Sequence, residues 1–539
     1  MSHWRTTLSA NSKSIADVTI KCGIYQGDAL SPLLFCMALN PLSALLDKST
    51  YGYRFKSGTT INHLLYMDDI KLYAKNEQDI DSLIHLTRVF SSDIGMTFGL
   101  AKCGRLIVNR GKVKSTCGIS LPEGQIDDVD ESYKYLGILQ SFGNNDEEVR
   151  CKATSEYRNR VRRVLRSKLS SKNKVTAINT FAVPVIRYPA AVVTWRREDL
   201  KETDIGTRKL MTMHGVFHPK SSTARLYTSR KEGGRGLHSI ENVVHQEEQS
   251  LKSYVSRKAE SDPLMAECKR LIAIWKEPDE AAAWYEKPLH GAWHKGVSEV
   301  ADMTSTYQWL NKSNIKANTE ALIMAAQEQA LNTRAVAHEI YHTVQDPRCR
   351  LCKQHAETVA HIISGCSKLA GTEYTKRHNN VASIIYRAIC AEYDLEHSKD
   401  WWVEPEKVVR NDHAKILWDF PIQTDKHLLH NRPDIVLINY KEQTGLIIDI
   451  AVPRDENIQD KELEKIDKYQ SLKIELEQLW KVKIMVIPVV VGALGAIADR
   501  LPGWLAQIPG TISEVELQKS ALLGTAQVLR RVLRLPGLW

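Results

Sequence analysis

Two adjacent carboxylates set between apolar strand-forming runs constrain this chain more than any other stretch: Ile61-Asn62-His63-Leu64-Leu65-Tyr66-Met67-Asp68-Asp69-Ile70-Lys71-Leu72-Tyr73-Ala74. The flanking runs read as a β-hairpin with Asp68 and Asp69 at its turn. Like charges side by side repel, so such a pair persists where water solvates it or a cation neutralises it. Phosphoryl transfer that clamps attacking and leaving oxygens with divalent metals needs carboxylates of this kind. An ordinary polar turn satisfies the same tetrapeptide, so its neighbours must decide.

Upstream, Gly23-Ile24-Tyr25-Gln26-Gly27-Asp28-Ala29-Leu30-Ser31-Pro32-Leu33-Leu34-Phe35 has glycines that allow close backbone approach, and Ser31-Pro32 opens an apolar helix. Downstream come Gly95-Met96-Thr97-Phe98-Gly99-Leu100-Ala101-Lys102-Cys103 and Tyr133-Lys134-Tyr135-Leu136-Gly137-Ile138. In order and spacing the four blocks resemble the later palm motifs of reverse transcriptases from non-LTR retrotransposons. The resemblance implies Mg²⁺ or Mn²⁺ at Asp68 and Asp69. It also implies Gln26 and Gly27 along the template or incoming nucleotide, and Lys102 near the triphosphate of a deoxynucleoside triphosphate. The family's palm carries a further metal-binding aspartate well ahead of the Gly23 block. Here Asp17 is the sole acid before Gly23 and stands too close to it. The expectation is a partial palm, N-terminally truncated, whose metals bind poorly for want of that carboxylate.

A chain of 539 residues has room for about three or four domains. With 43% hydrophobic and 25% charged residues it reads as globular, and its net charge of +9 suits nucleic acid as a partner. Ten cysteines lie scattered, three of them close together, which favours a reducing compartment and a local metal site over a disulfide framework. Met1-Ser2-His3-Trp4-Arg5 opens no apolar core of a signal peptide. The longest apolar run, Ile484 to Ala498, holds Pro488 and two glycines and is too short to span a bilayer, so no membrane is expected.

The partial palm, residues 1–145, should carry helices at Leu33–Leu46 and Asp79–Ile94, the latter with Ile80, Leu83, Ile84, Leu86, Thr87 and Phe90 near one face. Strands are expected at Val18–Ile20, Tyr53–Phe55, Leu64–Met67, Lys71–Ala74, Arg105–Val108 and Tyr133–Leu139. Residues 146–240 turn helical and basic, with Arg150, Lys152, Arg158, Arg160, Arg162, Arg163, Arg166, Lys168, Lys172 and Lys174 in one span. A solvated helix face is the plain reading; behind a palm, the run reads as a thumb gripping duplex phosphates, with Arg158, Arg162 and Arg166 foremost. Gly233-Gly234-Arg235-Gly236-Leu237 marks a turn between helices. Residues 241–345 form a helical connector whose Trp275, Trp284, Trp293 and Trp309 read as core.

Within 346–395, Cys349-Arg350-Leu351-Cys352, His361 and Cys366 give C-x2-C-x8-H-x4-C. Three thiolates and an imidazole close a tetrahedral structural Zn²⁺ site, and His355 is a less well spaced competitor for His361. The pattern, with Leu369-Ala370 and Tyr374-x-x-Arg377-His378-Asn379 behind it, resembles the knuckle of non-LTR elements of the restriction-like-endonuclease type. By that resemblance it shapes a nucleic-acid-binding surface.

In 396–510, Arg432-Pro433-Asp434-Ile435-Val436-Leu437-Ile438, a polar turn, and Leu446-Ile447-Ile448-Asp449-Ile450-Ala451-Val452-Pro453 form a hairpin. Folding it brings Asp434 and Asp449 to one edge, where they could share Mg²⁺ or Mn²⁺. A helix over Asp460–Leu479 presents Lys465, Lys468 and Tyr469; either lysine could orient the attacking water or stabilise the phosphorane. The arrangement resembles the divergent PD-(D/E)xK nucleases of those retrotransposons, in which the lysine has moved to a later helix; here Ala451 stands where it would otherwise be. Residues 511–539 add an amphipathic packing helix.

The expected fold class is α+β multidomain: partial reverse-transcriptase palm, helical thumb, small zinc knuckle and PD-(D/E)xK-like α/β endonuclease. The expected function is a retrotransposon protein that nicks target DNA for target-primed reverse transcription of its element RNA, working in the nucleus with passage through the cytoplasm. The alternative is a nucleic-acid-binding remnant without chemistry.

Overall fold

Asn11 and Ser12 take left-handed backbone, φ 51° and 62°, and so close a two-residue turn whose twist suits paired strands. They join β1 (Trp4–Ala10) to β2 (Lys13–Ile20) as an antiparallel ribbon of mostly exposed residues. Only its last three residues were expected as strand. The computed structural model describes residues 4–20, 23, 27–129, 132–140, 145–271, 284–398, 400 and 402–535; Gln26 and Trp275 lie outside them. The chain divides into two compact units, one built mainly from the first 152 residues and one holding most of the remainder.

In the first unit, α1 (Ser31–Lys48) starts on Pro32, whose missing N–H costs nothing in a first turn. It buries Leu39, Leu42 and Leu46. The hairpin follows as β3 (His63–Tyr66) and β4 (Asp69–Leu72), with Tyr66 opposite Asp69. Met67 and Asp68 are therefore the turn, Met67 at φ 53°, and Asp69 already belongs to the strand. Helix α2 (Glu77–Asp93) is capped by Asn76, which accepts the Asp79 N–H at 2.8 Å, and Glu77 and Asp79 face the positive end of its dipole. Its apolar stripe packs Leu83 with Leu42, Leu46, Ile70 and Phe90, and Ile84 with Ile119, Ile126 and Phe98.

The strand expected over Tyr133–Leu139 is instead a hairpin, β5 (Tyr133–Tyr135) and β6 (Ile138–Gln140). Leu136 and Gly137 both sit at positive φ, 44° and 79°, and reverse the chain where a uniform apolar run suggested extension. The strand expected at Arg105–Val108 falls at Ile107–Asn109, because the backbone of Arg105 bridges to residues 127–129 instead.

In the second unit, the part of α3 (Asp146–Arg166) beyond Lys152 buries Ala153, Tyr157, Val161 and Leu165, every fourth residue. Tyr157 hydrogen-bonds Thr207 of α4 (Arg197–Met213) at 3.0 Å. Gly233 is required by contact as well as by its φ of 82°: a Cβ there would stand 2.4 Å from the Tyr307 ring. Trp284, Trp293 and Trp309 are core, joining a cluster that also holds Cys349 and Cys366.

Helix α5 (Thr375–Glu392) precedes a five-stranded sheet of β7 (Val408–Arg410), β8 (Ala414–Trp418), β9 (Ile435–Asn439), β10 (Thr444–Ala451) and β11 (Lys483–Val490), hydrogen-bonded in chain order. Neighbours are antiparallel except β10 and β11, which are parallel and need the helical crossover between them. That crossover was expected as one helix over Asp460–Leu479; it is two, α6 (Ile458–Lys468) and α7 (Gln470–Trp480), broken at Tyr469. Residues 435, 437, 448 and 450 face α5 and the terminal helix α8 (Glu514–Leu533), whereas 436, 438 and 447 pack on Tyr469, Leu472 and Leu476. Covered on both faces, β9 and β10 are continuous apolar runs rather than alternating ones. No helix among the described residues is long and apolar enough to cross a membrane.

Candidate functional site

The ladder pairs Ile435 with Ile448, so one step further Asp434 stands across from Asp449. Asp449 is buried, its side chain 2% exposed, whereas that of Asp434 is 21% exposed. Each oxygen of Asp449 is engaged from the crossover helices. Tyr469, released from helical geometry at the break, donates its hydroxyl to Oδ1 at 2.7 Å. Lys465 Nζ makes ion contact with Oδ2, which takes no well-aligned hydrogen bond. Lys468 stands back, 3.8 Å from Oδ1, with its ammonium 4.5 Å from the Tyr469 ring centre. The two lysines that the sequence left equivalent therefore differ: Lys465 touches the carboxylate and Lys468 flanks it.

Asp434 is held from another direction. His378 of α5 reaches its Oδ2 at 3.0 Å and the Ile450 carbonyl at 3.1 Å, and the Ile450 N–H donates to the same Oδ2 at 2.7 Å. Burial works against both members of this ion pair. The contact still holds Asp434 below the usual carboxylate range and pushes His378 up to about 9. Burial, then the charge of Asp434, moves Asp449 the other way, above its ordinary range. The two carboxylates face each other across one strand pair, with Oδ2 of Asp449 met only by the Lys465 ammonium, and such a donor set could share a divalent cation. The sequence reading placed His378 behind the knuckle and gave it no role here; 56 residues separate it from Asp434, and no local period links them.

Cys349, Cys352, His361 and Cys366 converge with all ligand atoms within 4.8 Å of one another. Cys349 and Cys366 sulfurs lie 3.9 Å apart, and Cys352 Sγ lies 3.4 Å from His361 Nε2. Tetrahedral zinc with Zn–S of about 2.3 Å and Zn–N of about 2.0–2.1 Å spaces its ligands by about 3.6–3.8 Å, so the set fits that ion. The 3.9 Å separation excludes a disulfide. His355 stays outside the set, its ring 5.6 Å from that of His361. Burial pushes the Cys366 thiol up to about 11, a cost that a bound cation offsets by favouring the thiolate. Two supports were not foreseen. Buried Glu357 accepts the Arg350 backbone N–H at 2.8 Å and its guanidinium at 2.6 and 2.8 Å, bracing the C-x2-C turn. The Tyr374 hydroxyl donates to the Ile362 carbonyl at 2.6 Å and accepts the Cys366 N–H at 3.1 Å.

In the first unit, Asp68 and Asp69 are both exposed, and among the described residues no third Asp, Glu, His or Cys joins them in a metal-sized group. Lys102 is exposed on the turn after Phe98. The Tyr133 hydroxyl donates to the Lys102 carbonyl at 2.6 Å; burial, then Cys103 and Asp69, raise that phenol's pKa. Tyr133 thus anchors the Lys102 turn. Arg105 and Asp128 lock the segment behind it at 2.6 Å. Gly27 is exposed at φ 94°.

The basic run is less uniform than its sequence. Arg162 and Arg166 are exposed, while Arg158 is half-buried along Gly206 of α4. Arg160 is spent on Glu156 and the Phe181 carbonyl, Lys172 on the Asn311 carbonyl, and buried Lys174 on the Leu165 carbonyl at 2.8 Å. Lys174 caps the end of α3 and is a structural cation, not part of a phosphate-facing surface.

Residues 2–139 match the family described as reverse transcriptase (RNA-dependent DNA polymerase). The chain is similar to a retrovirus-related Pol polyprotein from type-1 retrotransposable element R2 of Popillia japonica, 22% identical over 465 residues, covering 83% of this chain and 72% of that protein. It is also 22% identical over 484 residues to the Pol polyprotein from type-2 retrotransposable element R2DM of Drosophila melanogaster, covering 80% of this chain and 44% of that one. A type-1 R2 polyprotein of Nasonia vitripennis matches at 22% over 388 residues, 36% of its length.

Proposed function

Because this chain is related to the reverse-transcriptase polyproteins of non-LTR retrotransposons, we propose that its own chemistry is a metal-dependent nick in DNA made at the Asp434–Asp449 pair. The observation that carries this is the facing of the two acids with Lys465 on Asp449. A divalent cation held by Asp434 and Asp449 would supply a lowered water pKa and charge neutralisation at the phosphate. Tyr469 orients Asp449, and Lys465, whose side chain is 15% exposed, is the nearest ammonium to meet negative charge developing on the phosphate. Lys468 extends the positive field toward the DNA backbone.

The remaining sites serve binding. Arg162 and Arg166 grip duplex phosphates with Arg158 behind them, the zinc knuckle shapes a nucleic-acid surface, and Gly27 and Lys102 line the nucleotide path of the palm. Asp68 and Asp69 belong to the metal site of the palm, and the activity assigned to this chain is nicking at the hairpin pair. Element RNA, target DNA and the nucleus are the setting that kinship suggests.

The test is nicking of supercoiled plasmid in Mg²⁺ or Mn²⁺ by the wild type, Asp434→Ala and Asp449→Ala. Cleavage by the wild type alone supports the reading. Salt-sensitive binding by all three, without cleavage in either metal, would replace it with a binding role built on the exposed arginines and the knuckle.

A further inference from the structure

Helix α5 is fixed to its surroundings without His378. Arg377 donates to Thr525 Oγ1 at 2.8 Å and to the Val452 carbonyl at 3.1 Å, and Val381, Ile385 and Ile389 fill the core beneath. The His378 side chain is 27% exposed. What holds the ring in place is a set of polar partners, Asp434 foremost.

Its geometry there is specific. Nε2 faces two acceptors, Asp434 Oδ2 at 3.0 Å and the Ile450 carbonyl at 3.1 Å, so that nitrogen carries the proton. Nδ1 lies 3.1 Å from Asn379 Oδ1. Oδ2 of Asp434 also accepts the Ile450 N–H at 2.7 Å, and two donors fix the plane of the carboxylate. Among the described residues no donor reaches Oδ1. Asp449 is fixed comparably from the opposite side by Tyr469 and Lys465.

We propose that His378 is a positioning residue of the hairpin site, pinning Oδ2 of Asp434 so that Oδ1 is presented to a divalent cation shared with Asp449. The proposal rests on the nuclease reading. Groups that orient a metal-binding side chain from behind contribute about 10–100-fold to metal affinity. His378→Ala leaves Asp434 in place but takes away one of the two donors on Oδ2, so its carboxylate is held by the Ile450 N–H alone among the described residues. His378→Gln keeps an N–H that can reach Oδ2.

The experiment is Mn²⁺ titration of the full chain followed by electron paramagnetic resonance, for wild type, Asp434→Ala, His378→Ala and His378→Gln, with plasmid nicking in parallel. The wild type should show a site that Asp434→Ala lacks. His378→Ala should weaken that site about 10–100-fold and raise the metal needed for half-maximal nicking by the same factor. His378→Gln should recover most of the loss, with thermal midpoints of all four close together. Wild-type Mn²⁺ affinity in His378→Ala, or a glutamine variant no better than alanine, overturns the positioning role while leaving the nuclease reading intact. A wild type indistinguishable from Asp434→Ala in Mn²⁺ binding overturns both.

Discussion

Tyr469→Phe removes a single O–H from the buried carboxylate and little else. The ring is 1% exposed, packed with Val436, Ile447, Leu472 and Leu476, and phenylalanine preserves that packing. What disappears is the hydroxyl, which donates to Asp449 Oδ1 at 2.7 Å and also lies 3.3 Å from the Arg432 carbonyl. A hydrogen bond to a charged group is worth about 1.5–3 kcal/mol. At about 1.4 kcal/mol per factor of ten, that is a roughly ten- to hundredfold weakening of the metal site, the size expected when a donor behind a metal-holding carboxylate is removed. The direction with pH follows from what already acts on Asp449: burial and the charge of Asp434 hold its pKa up, and losing a donor to the charged form raises it further. Nicking rates measured across pH at fixed Mg²⁺ should fall roughly ten- to hundredfold near neutrality, and the acidic limb of the profile should move to higher pH. Leu472→Ala, in the same cluster, should instead cost about 2–5 kcal/mol of stability without moving that limb. A Tyr469→Phe protein with wild-type rate and an unmoved limb would refute the role of the hydroxyl.

The knuckle should hold one zinc per chain by elemental analysis, and Cys366→Ser should lose that metal and lower the thermal midpoint, because a thiolate buried in the shared core then lacks its cation. Arg162→Glu with Arg166→Glu should lower the salt dependence of nucleic-acid binding, by a slope change of about 2 or more; Lys174→Gln should destabilise the protein yet leave the slope alone, since its ammonium is buried on Leu165. Asp128 has its pKa held down to about 2, chiefly by the Arg105 hydrogen bond, against an ordinary value near 3.9. Its folded pKa is the lower one, so the stability it contributes is complete above about pH 4 and lost as pH falls toward 2; urea midpoints across that window should drop for the wild type and be flatter for Asp128→Asn.

Where chemistry depends on neighbours in the chain, the sequence was a good guide. Leu33–Leu46 and Asp79–Ile94 mark helices that the structure draws as Ser31–Lys48 and Glu77–Asp93, because a 3.6-residue apolar period survives any tertiary context that offers it a core. Cys349 and Cys352 meet through a tight turn, and Asp434 meets Asp449 through a hairpin, so spacing alone brings each pair near. Boundaries failed where one residue's φ decided them. Leu136 and Gly137 turned an expected strand into a hairpin, and Tyr469 split an expected helix in two.

Read alone, the chain's residues supply a repertoire: paired acids on strands, a Cys/His set at ligand spacing, an arginine-rich helix, and two lysines three residues apart behind the second acid. Which members meet is a matter of packing between elements. Lys465 rather than Lys468 touches Asp449, Lys174 closes a helix end, and His378 reaches Asp434 across 56 residues. The physical reason is that periodicity and spacing encode the faces of single strands and helices. A hydrogen bond between two of them is set by how α5, the sheet and the broken crossover pack together, and no local pattern carries that information.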